Sequence, residues 1–195
     1  MKLLKIITNI CLSSIIINNF LWGLEKNKKS EKFFISLYGN YIKNHSWGNG
    51  EMNHYTGAGV GIGYYFLIPN KYELINKITV GVSFFNKYSR LSAVDNEYPT
   101  KISDYFVNLD WVYEINRCIH PFFGVSYHYI NFDIRGKQEI GWYGPGIRLG
   151  TLFYIGEHFE IELGGEYIYL GSKTDSDYPA ETPTWKGSVA LNYSF

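Results

Sequence analysis

The sequence predicts an all-β protein, an eight-stranded antiparallel up-and-down transmembrane β-barrel. Three observations predict it. From residue 33 onward, eight segments alternate apolar and polar residues with a period of two. The connections between them alternate between long and short. The composition is strand-like and rich in the residues of membrane interfaces, with 18 Tyr, 13 Phe and 20 Gly.

The 195 residues suit one domain behind a leader. Lys2 and Lys5 precede an apolar run from Ile6 to Trp22, broken by Asn9, Asn18 and Asn19. This reads as a signal peptide over residues 1–23, with Gly23 as the small residue at the cut, and leaves residues 24–195 as the barrel domain. Ile10 before Cys11 is too large for a lipoprotein signal. Removal of the leader leaves Cys118 with no intrachain partner. No other stretch approaches the roughly 20 apolar residues of a spanning helix.

The eight segments run Phe33 to Ile42, Gly57 to Leu67, Lys77 to Phe85, Tyr105 to Ile115, Phe122 to Ile130, Gly146 to Ile155, Phe159 to Leu170 and Trp185 to Phe195. In the first, Phe33, Ile35, Leu37 and Tyr41 oppose Ser36, Tyr38 and Asn40. In the second, Ala58, Val60, Ile62 and Tyr64 oppose a row of glycines at 57, 59, 61 and 63. The third sets Ile78, Val80, Val82 and Phe84 against Thr79, Gly81 and Ser83, and the fourth Val107, Leu109, Trp111 and Tyr113 against Asn108, Asp110 and Glu114. The fifth sets Phe123, Val125, Tyr127 and Tyr129 against Gly124, Ser126 and His128. The sixth opposes Ile147, Leu149 and Phe153 to Gly146, Arg148 and Gly150, and the seventh Ile161, Leu163, Tyr167 and Tyr169 to Glu160, Glu162, Gly164 and Glu166. The eighth opposes Val189, Leu191, Tyr193 and Phe195 to Lys186, Ser188, Asn192 and Ser194.

The first, third, fifth and seventh connections are polar loops: Lys43 to Thr56, Asn86 to Asp104, Asn131 to Pro145 and Gly171 to Thr184. The others are shorter. Bacterial outer-membrane barrels show this pattern, with long loops outside and short turns in the periplasm. A glycine row cannot fill an apolar core, so the large apolar set faces outward into lipid. Mean hydropathy of −0.16 is compatible, because only one face of each strand meets lipid. Aromatic residues near strand ends (Tyr41, Tyr64, Tyr113, Tyr129, Tyr169, Trp185, Tyr193, Phe195) suit interfacial girdles.

The chain ends on Phe195, with Tyr193, Leu191 and Val189 on the same face. This resembles the C-terminal β-signal of bacterial outer-membrane proteins. The resemblance implies that the barrel-assembly machinery reads the last strand. With the leader and eight strands, the chain resembles the small OmpA/OmpX-type barrels. That implies outer-membrane lipid and lipopolysaccharide as surroundings, and a host or extracellular ligand at the loops.

Pairing across the short turns places Arg148 near Glu166, Asp110 near Ser126 and Asn108 near His128, and pairing across the last loop places Glu166 near Lys186. A lumenal charge network of Arg148, Glu166, Lys186, Glu162, Asp110 and Glu114, with Glu160, follows. It reads either as a structural plug or as a narrow, cation-preferring pore; the space inside eight strands favours the plug. Ser126, His128 and Asp110 are also the residue types of a hydrolytic triad, and lipid A-modifying enzymes exist among barrels. Against this, the trio faces a narrow lumen and no oxyanion feature accompanies it. His45 and His54, with Trp47, Glu51 and Met52, lie in a Gly- and Asn-rich loop and lack the fixed spacing of a metal site. Asp175, Asp177 and Glu181, near Lys173 and Tyr178, lack the spacing of a calcium loop. No metal, cofactor or catalysis is expected. A formal net charge of zero leaves no basic face for nucleic acid.

Overall fold

A computed structural model describes residues 32–45, 52–67, 74–87, 101–116, 118–134, 138–171 and 181–195. The leader lies outside these residues, as do Trp47, Glu51, Lys173, Asp175, Asp177 and Tyr178. Eight strands form one closed sheet: β1 (Lys32–His45), β2 (Met52–Leu67), β3 (Ile75–Lys87), β4 (Lys101–Val112), β5 (Ile119–Ile134), β6 (Gln138–Tyr154), β7 (Phe159–Gly171) and β8 (Glu181–Ser194). Each strand is antiparallel to the next, and β1 closes on β8, with Phe195 N–H donating to the Phe33 carbonyl at 3.0 Å. Closure removes the exposed strand edges that an apolar environment would leave without hydrogen-bond partners.

The alternation along each strand sorts side chains between lipid and lumen. On β1, Phe33 is 68% exposed and Phe34 1%, and the pattern continues through exposed Ile35, Leu37 and Tyr41 and buried Ser36, Tyr38 and Asn40. Val60, Ile62, Val80, Val107, Val125, Ile147, Leu149, Leu163, Val189 and Leu191 complete an outward apolar band. A water-facing surface does not carry so much contiguous apolar area; lipid accommodates it. Exposed aromatic residues bound the band. Tyr41, Tyr105, Tyr129, Tyr169 and Trp185 ring the end that carries the longer connections; Phe33, Tyr113, Phe123, Phe159, Tyr193 and Phe195 ring the end with the short turns. Phe33 and Tyr41 are eight positions apart on β1. At about 3.3 Å per residue and a strand tilt of about 40°, the rings are separated by about 20 Å, close to the apolar height of such barrels.

The inward glycines give room to rings. A Cβ on Gly63 would lie 2.2 Å from Phe34 Cζ, one on Gly81 2.4 Å from Phe106 Cζ, and one on Gly150 2.4 Å from Phe122 Cζ. These aromatics lean across neighbouring strands into the vacated space. Phe106 packs with Tyr38 and Ala190 in the middle of the lumen, while Phe34 and Phe122 belong to one of two apolar layers that close its ends. Toward the loop end lie Ile42, Tyr55, Phe85, Ile102, Ile130, Trp142, Ile168 and Leu170; toward the turn end lie Phe34, Tyr65, Ile75, Val112, Phe122 and Leu152.

Strand limits differ from the sequence reading mainly at the loop end. Lys101 to Asp104, Met52 to Thr56 and Glu181 to Thr184 are strand, not loop. β5 and β6 pair out to Ile134 and Gln138, within the segment Asn131 to Pro145 read as a polar loop. Proline removes one donor. Here the β5 pairing runs through it (Tyr127 to Pro145), and the paired register with β7 skips Gly144 and Pro145.

Candidate functional site

Between the two apolar layers, the lumen holds the polar and charged side chains, arranged in two groups. Toward the loop end, His128 of β5 stands between Asp104 of β4 and Glu166 of β7. Its Nδ1 is 2.7 Å from Asp104 Oδ1 and its Nε2 2.9 Å from Glu166 Oε1. The second carboxylate oxygen of Asp104 accepts from Lys186 Nζ at 2.6 Å. An ionised carboxylate only accepts, so both His128 contacts are hydrogen bonds when the imidazole donates from both nitrogens. In that form, two cations and two anions neutralise one another. All four side chains are buried. Lys186 also lies over the Phe106 ring, 4.4 Å from its centroid.

Toward the turn end, Glu162 of β7 is the shared acceptor. Lys77 of β3 donates to its Oε2, and Arg148 Nη2 of β6 donates to its Oε1 at 2.8 Å. Arg148 Nε lies 3.5 Å from Asp110 Oδ1, an ion pair too long for a good hydrogen bond. Again two buried cations face two buried carboxylates. Nearby, Glu160 accepts from the Tyr65 hydroxyl and, at 3.0 Å, from Asn192 Nδ2.

The positions predicted from sequence are distributed across both groups. Arg148 is paired in register with Glu166, and Glu166 with Lys186, as the short turn and the last loop predict. The ion pairs nevertheless differ from that register: Arg148 reaches Glu162 and Asp110, Lys186 reaches Asp104, and Glu166 takes His128. Long side chains span more than one register row, so Cα neighbours need not be charge partners. Glu114 is a correction. It lies past the end of β4, half-exposed, 3.9 Å from His120, and takes no part in the lumenal groups.

The β4–β5 register is also corrected. Asn108 pairs with Ser126, Phe106 with His128 and Asp110 with Gly124, two positions from the expected partners. β5 begins at Ile119, three residues earlier than read, and the Asn116 side chain accepts from the N–H groups of Cys118 and Ile119 to close the turn. A shift of two keeps every side chain on its face while changing its partners. It separates the supposed triad: His128 is held by Asp104 and Glu166, Asp110 faces Arg148, and Ser126 Oγ has no hydrogen-bond partner. Ser126, His128 and Asp110 are therefore not arranged as a nucleophile, base and orienting acid. His54, read as a loop residue, lies in β2 and faces outward, while His45 and Glu181 fall at strand ends. Among the described residues, no group of three or more His, Cys, Asp or Glu side chains is placed to hold a metal ion.

Lys77 and Asp104 were missed. Both carry the parity of inward neighbours, Lys77 with Thr79 and Ser83, Asp104 with Asn108 and Asp110. Lys77 already opens the third segment on the inward parity, and extending the fourth segment by one residue reaches Asp104.

No protein-family model matches the sequence, and no curated protein matches it. Solved structures do match. Neisserial surface protein A has a TM-score of 0.63 at 13% identity, over 86% of this chain and 100% of that one. The N-terminal β-barrel domain of Pseudomonas aeruginosa OprF has a TM-score of 0.49 at 9% identity, over 85% and 100%. Ail, the attachment invasion locus protein of Yersinia pestis, has 0.47 at 14%, over 85% and 97%. Eight antiparallel strands closed on themselves, an outward apolar band and the match to Neisserial surface protein A over its whole length give one conclusion: this chain has the fold of the small eight-stranded outer-membrane barrels.

Proposed function

We propose that the chain is a non-catalytic bacterial outer-membrane protein, a rigid frame that presents its longer connections to the cell exterior, where they meet host or extracellular ligands. The observation that carries this reading is the closed lumen. Apolar layers cover both ends, and the charges between them are compensated in two groups, so the interior is used for stability and the exterior is left for contact. The leader, residues 1–23, would direct export and be removed, and the strand ending in Phe195 would be read by the barrel-assembly machinery. Neisserial surface protein A is, by its name, a surface protein of a similar fold; the same exposure is proposed for this chain.

The test is outer-membrane fractionation with heat-modifiable gel mobility, followed by protease treatment of intact cells. A compact band that shifts on boiling, with cleavage confined to the connections at one end of the barrel, is the expected result. A soluble protein without a shift would overturn the reading. A narrow channel is the second reading. Its supporting observation is a set of buried mid-lumen polar atoms without hydrogen-bond partners, among them Ser36 Oγ, Thr79 Oγ1 and Asn108 Oδ1. Conductance steps in planar bilayers would favour it; their absence in a correctly folded sample favours the plug.

A further inference from the structure

At the loop end of the outer face, three adjacent strands carry a group that the lumen does not use. Lys43 of β1 stands directly between Trp185 of β8 and His54 of β2, its register partners on either side. Tyr41, one outward position closer to the bilayer centre, contacts His54 Nδ1 through its hydroxyl, and the two rings lie 5.8 Å apart. Trp185, Tyr41 and His54 are exposed. The described ion pairs involve Lys77, Arg148, Lys186, His120 and His128; Lys43 is in none of them. A lysine at this height, just beyond an aromatic ring, places its ammonium among lipid head groups.

Beneath this group the outer face is recessed. Gly187 pairs with Tyr41 on one side and Gly165 on the other, and Gly39 pairs with Val189. A Cβ on Gly165 or Gly187 would meet nothing within 4 Å, and one on Gly39 only the Val189 carbonyl oxygen at 3.9 Å. Tyr167 and Trp185, packed edge to face at 4.8 Å, border the recess above, and Leu163 and Val189 border it below.

We propose that this face binds lipid A, the phosphorylated and acylated glycolipid of lipopolysaccharide, from the leaflet at the loop end. The inference rests on the membrane orientation proposed above. Charge complementarity carries the assignment: Lys43 and His54 receive a phosphate, through charge-assisted hydrogen bonds from the ammonium and a further one from the imidazole. The exposed indole of Trp185 offers a flat face to a sugar ring, and an acyl chain lies over the glycine floor. A phospholipid head group supplies the phosphate without the sugar, so the two lipids differ in what Trp185 can contact.

The test compares retention of lipid A, phosphatidylglycerol and inorganic phosphate by native mass spectrometry. The full chain is used as wild type, Lys43→Glu, Lys43→Gln and Gly187→Leu, each checked first for the heat-modifiable band. The wild type is expected to retain lipid A in preference to phosphatidylglycerol, and phosphate alone not at all. Lys43→Glu is expected to lower lipid A retention about tenfold, Lys43→Gln by about threefold, and Gly187→Leu by an intermediate factor, since it puts a side chain on the floor where an added Cβ meets nothing within 4 Å. Equal lipid A retention in the wild type and either lysine variant, with the compact band intact, overturns the site. So does equal retention of the two lipids by the wild type. Loss of the compact band in the wild type overturns the membrane reading instead. If Lys43→Glu fails to fold, Lys43→Gln decides the question.

Discussion

Replacing Glu162 by Gln isolates an electrostatic contact shared by two buried cations of the lumen. Glu162 is completely buried and is the common acceptor of Lys77 and Arg148, each buried as well. Glutamine keeps the volume and one acceptor oxygen, so packing is preserved and one of the two cations keeps a hydrogen bond to a neutral acceptor. What disappears is the negative charge. Asp110 remains as a carboxylate near the pair, 3.5 Å from Arg148 Nε, and it cannot neutralise both cations. Removing one partner of a buried pair costs about 3–5 kcal/mol, because the remaining charge stays out of water without compensation. The retained hydrogen bond and Asp110 place this case near the lower end, at about 3 kcal/mol. Urea unfolding in detergent micelles, read by tryptophan fluorescence and by the fraction running as the compact band, measures it through the shift in midpoint at constant slope. Ser126→Ala is the matched control in the same lumen. It removes a buried hydroxyl that has no hydrogen-bond partner, and its cost is expected to stay within about 0.5 kcal/mol of zero. A Glu162→Gln cost below about 1 kcal/mol would refute the reasoning: water, and not Glu162, would then be compensating the two cations.

Three further results follow from the same geometry. Gly63→Ala forces a Cβ to 2.2 Å from Phe34 Cζ and 2.4 Å from the Ile78 carbonyl oxygen, and should cost about 2–3 kcal/mol by the same urea assay; Phe34→Leu in the same chain should recover part of it, the backbone clash remaining. Gly156 has φ +94° in the β6–β7 turn with open space around it, so Gly156→Ala should cost about 1 kcal/mol from backbone strain alone, seen as a lower thermal transition of the compact band. Ser126→Ala and His128→Asn should both leave the acylation pattern of lipid A unchanged when it is compared by mass spectrometry with that of cells carrying the wild type; a changed pattern in either would reopen the enzymatic reading despite the separation of Ser126 from His128 and Asp110.

The faces of the strands were legible in the sequence because a period of two is a local property, and a local property survives errors of register. Reading Phe33, Ile35 and Leu37 outward needs nothing beyond their spacing. The strand ends were less legible because polarity was taken as the mark of a loop. Lys101 to Asp104 is polar, yet Ile102 and Asp104 continue the inward parity of Phe106 and Asn108 and are buried. Asn131 to Pro145 was likewise read as a polar loop, whereas it carries the end of β5 and the start of β6, and an outward proline in a long strand interrupts the pairing to one neighbour only. The lumenal network was legible as a set of charges and not as a set of pairs, for two separate reasons. The β4–β5 turn, held by Asn116, moved the register by two, which periodicity cannot detect. Arg148 then turned from its Cα neighbour Glu166 toward Glu162 and Asp110, a choice fixed by where His128, Lys77 and Lys186 place their own charges. His128 takes Glu166, Lys186 takes Asp104, and the acids left for Arg148 are Glu162, which it shares with Lys77, and Asp110. The pairs are thus a collective solution for eight buried groups from six strands, and no two-strand argument reaches it.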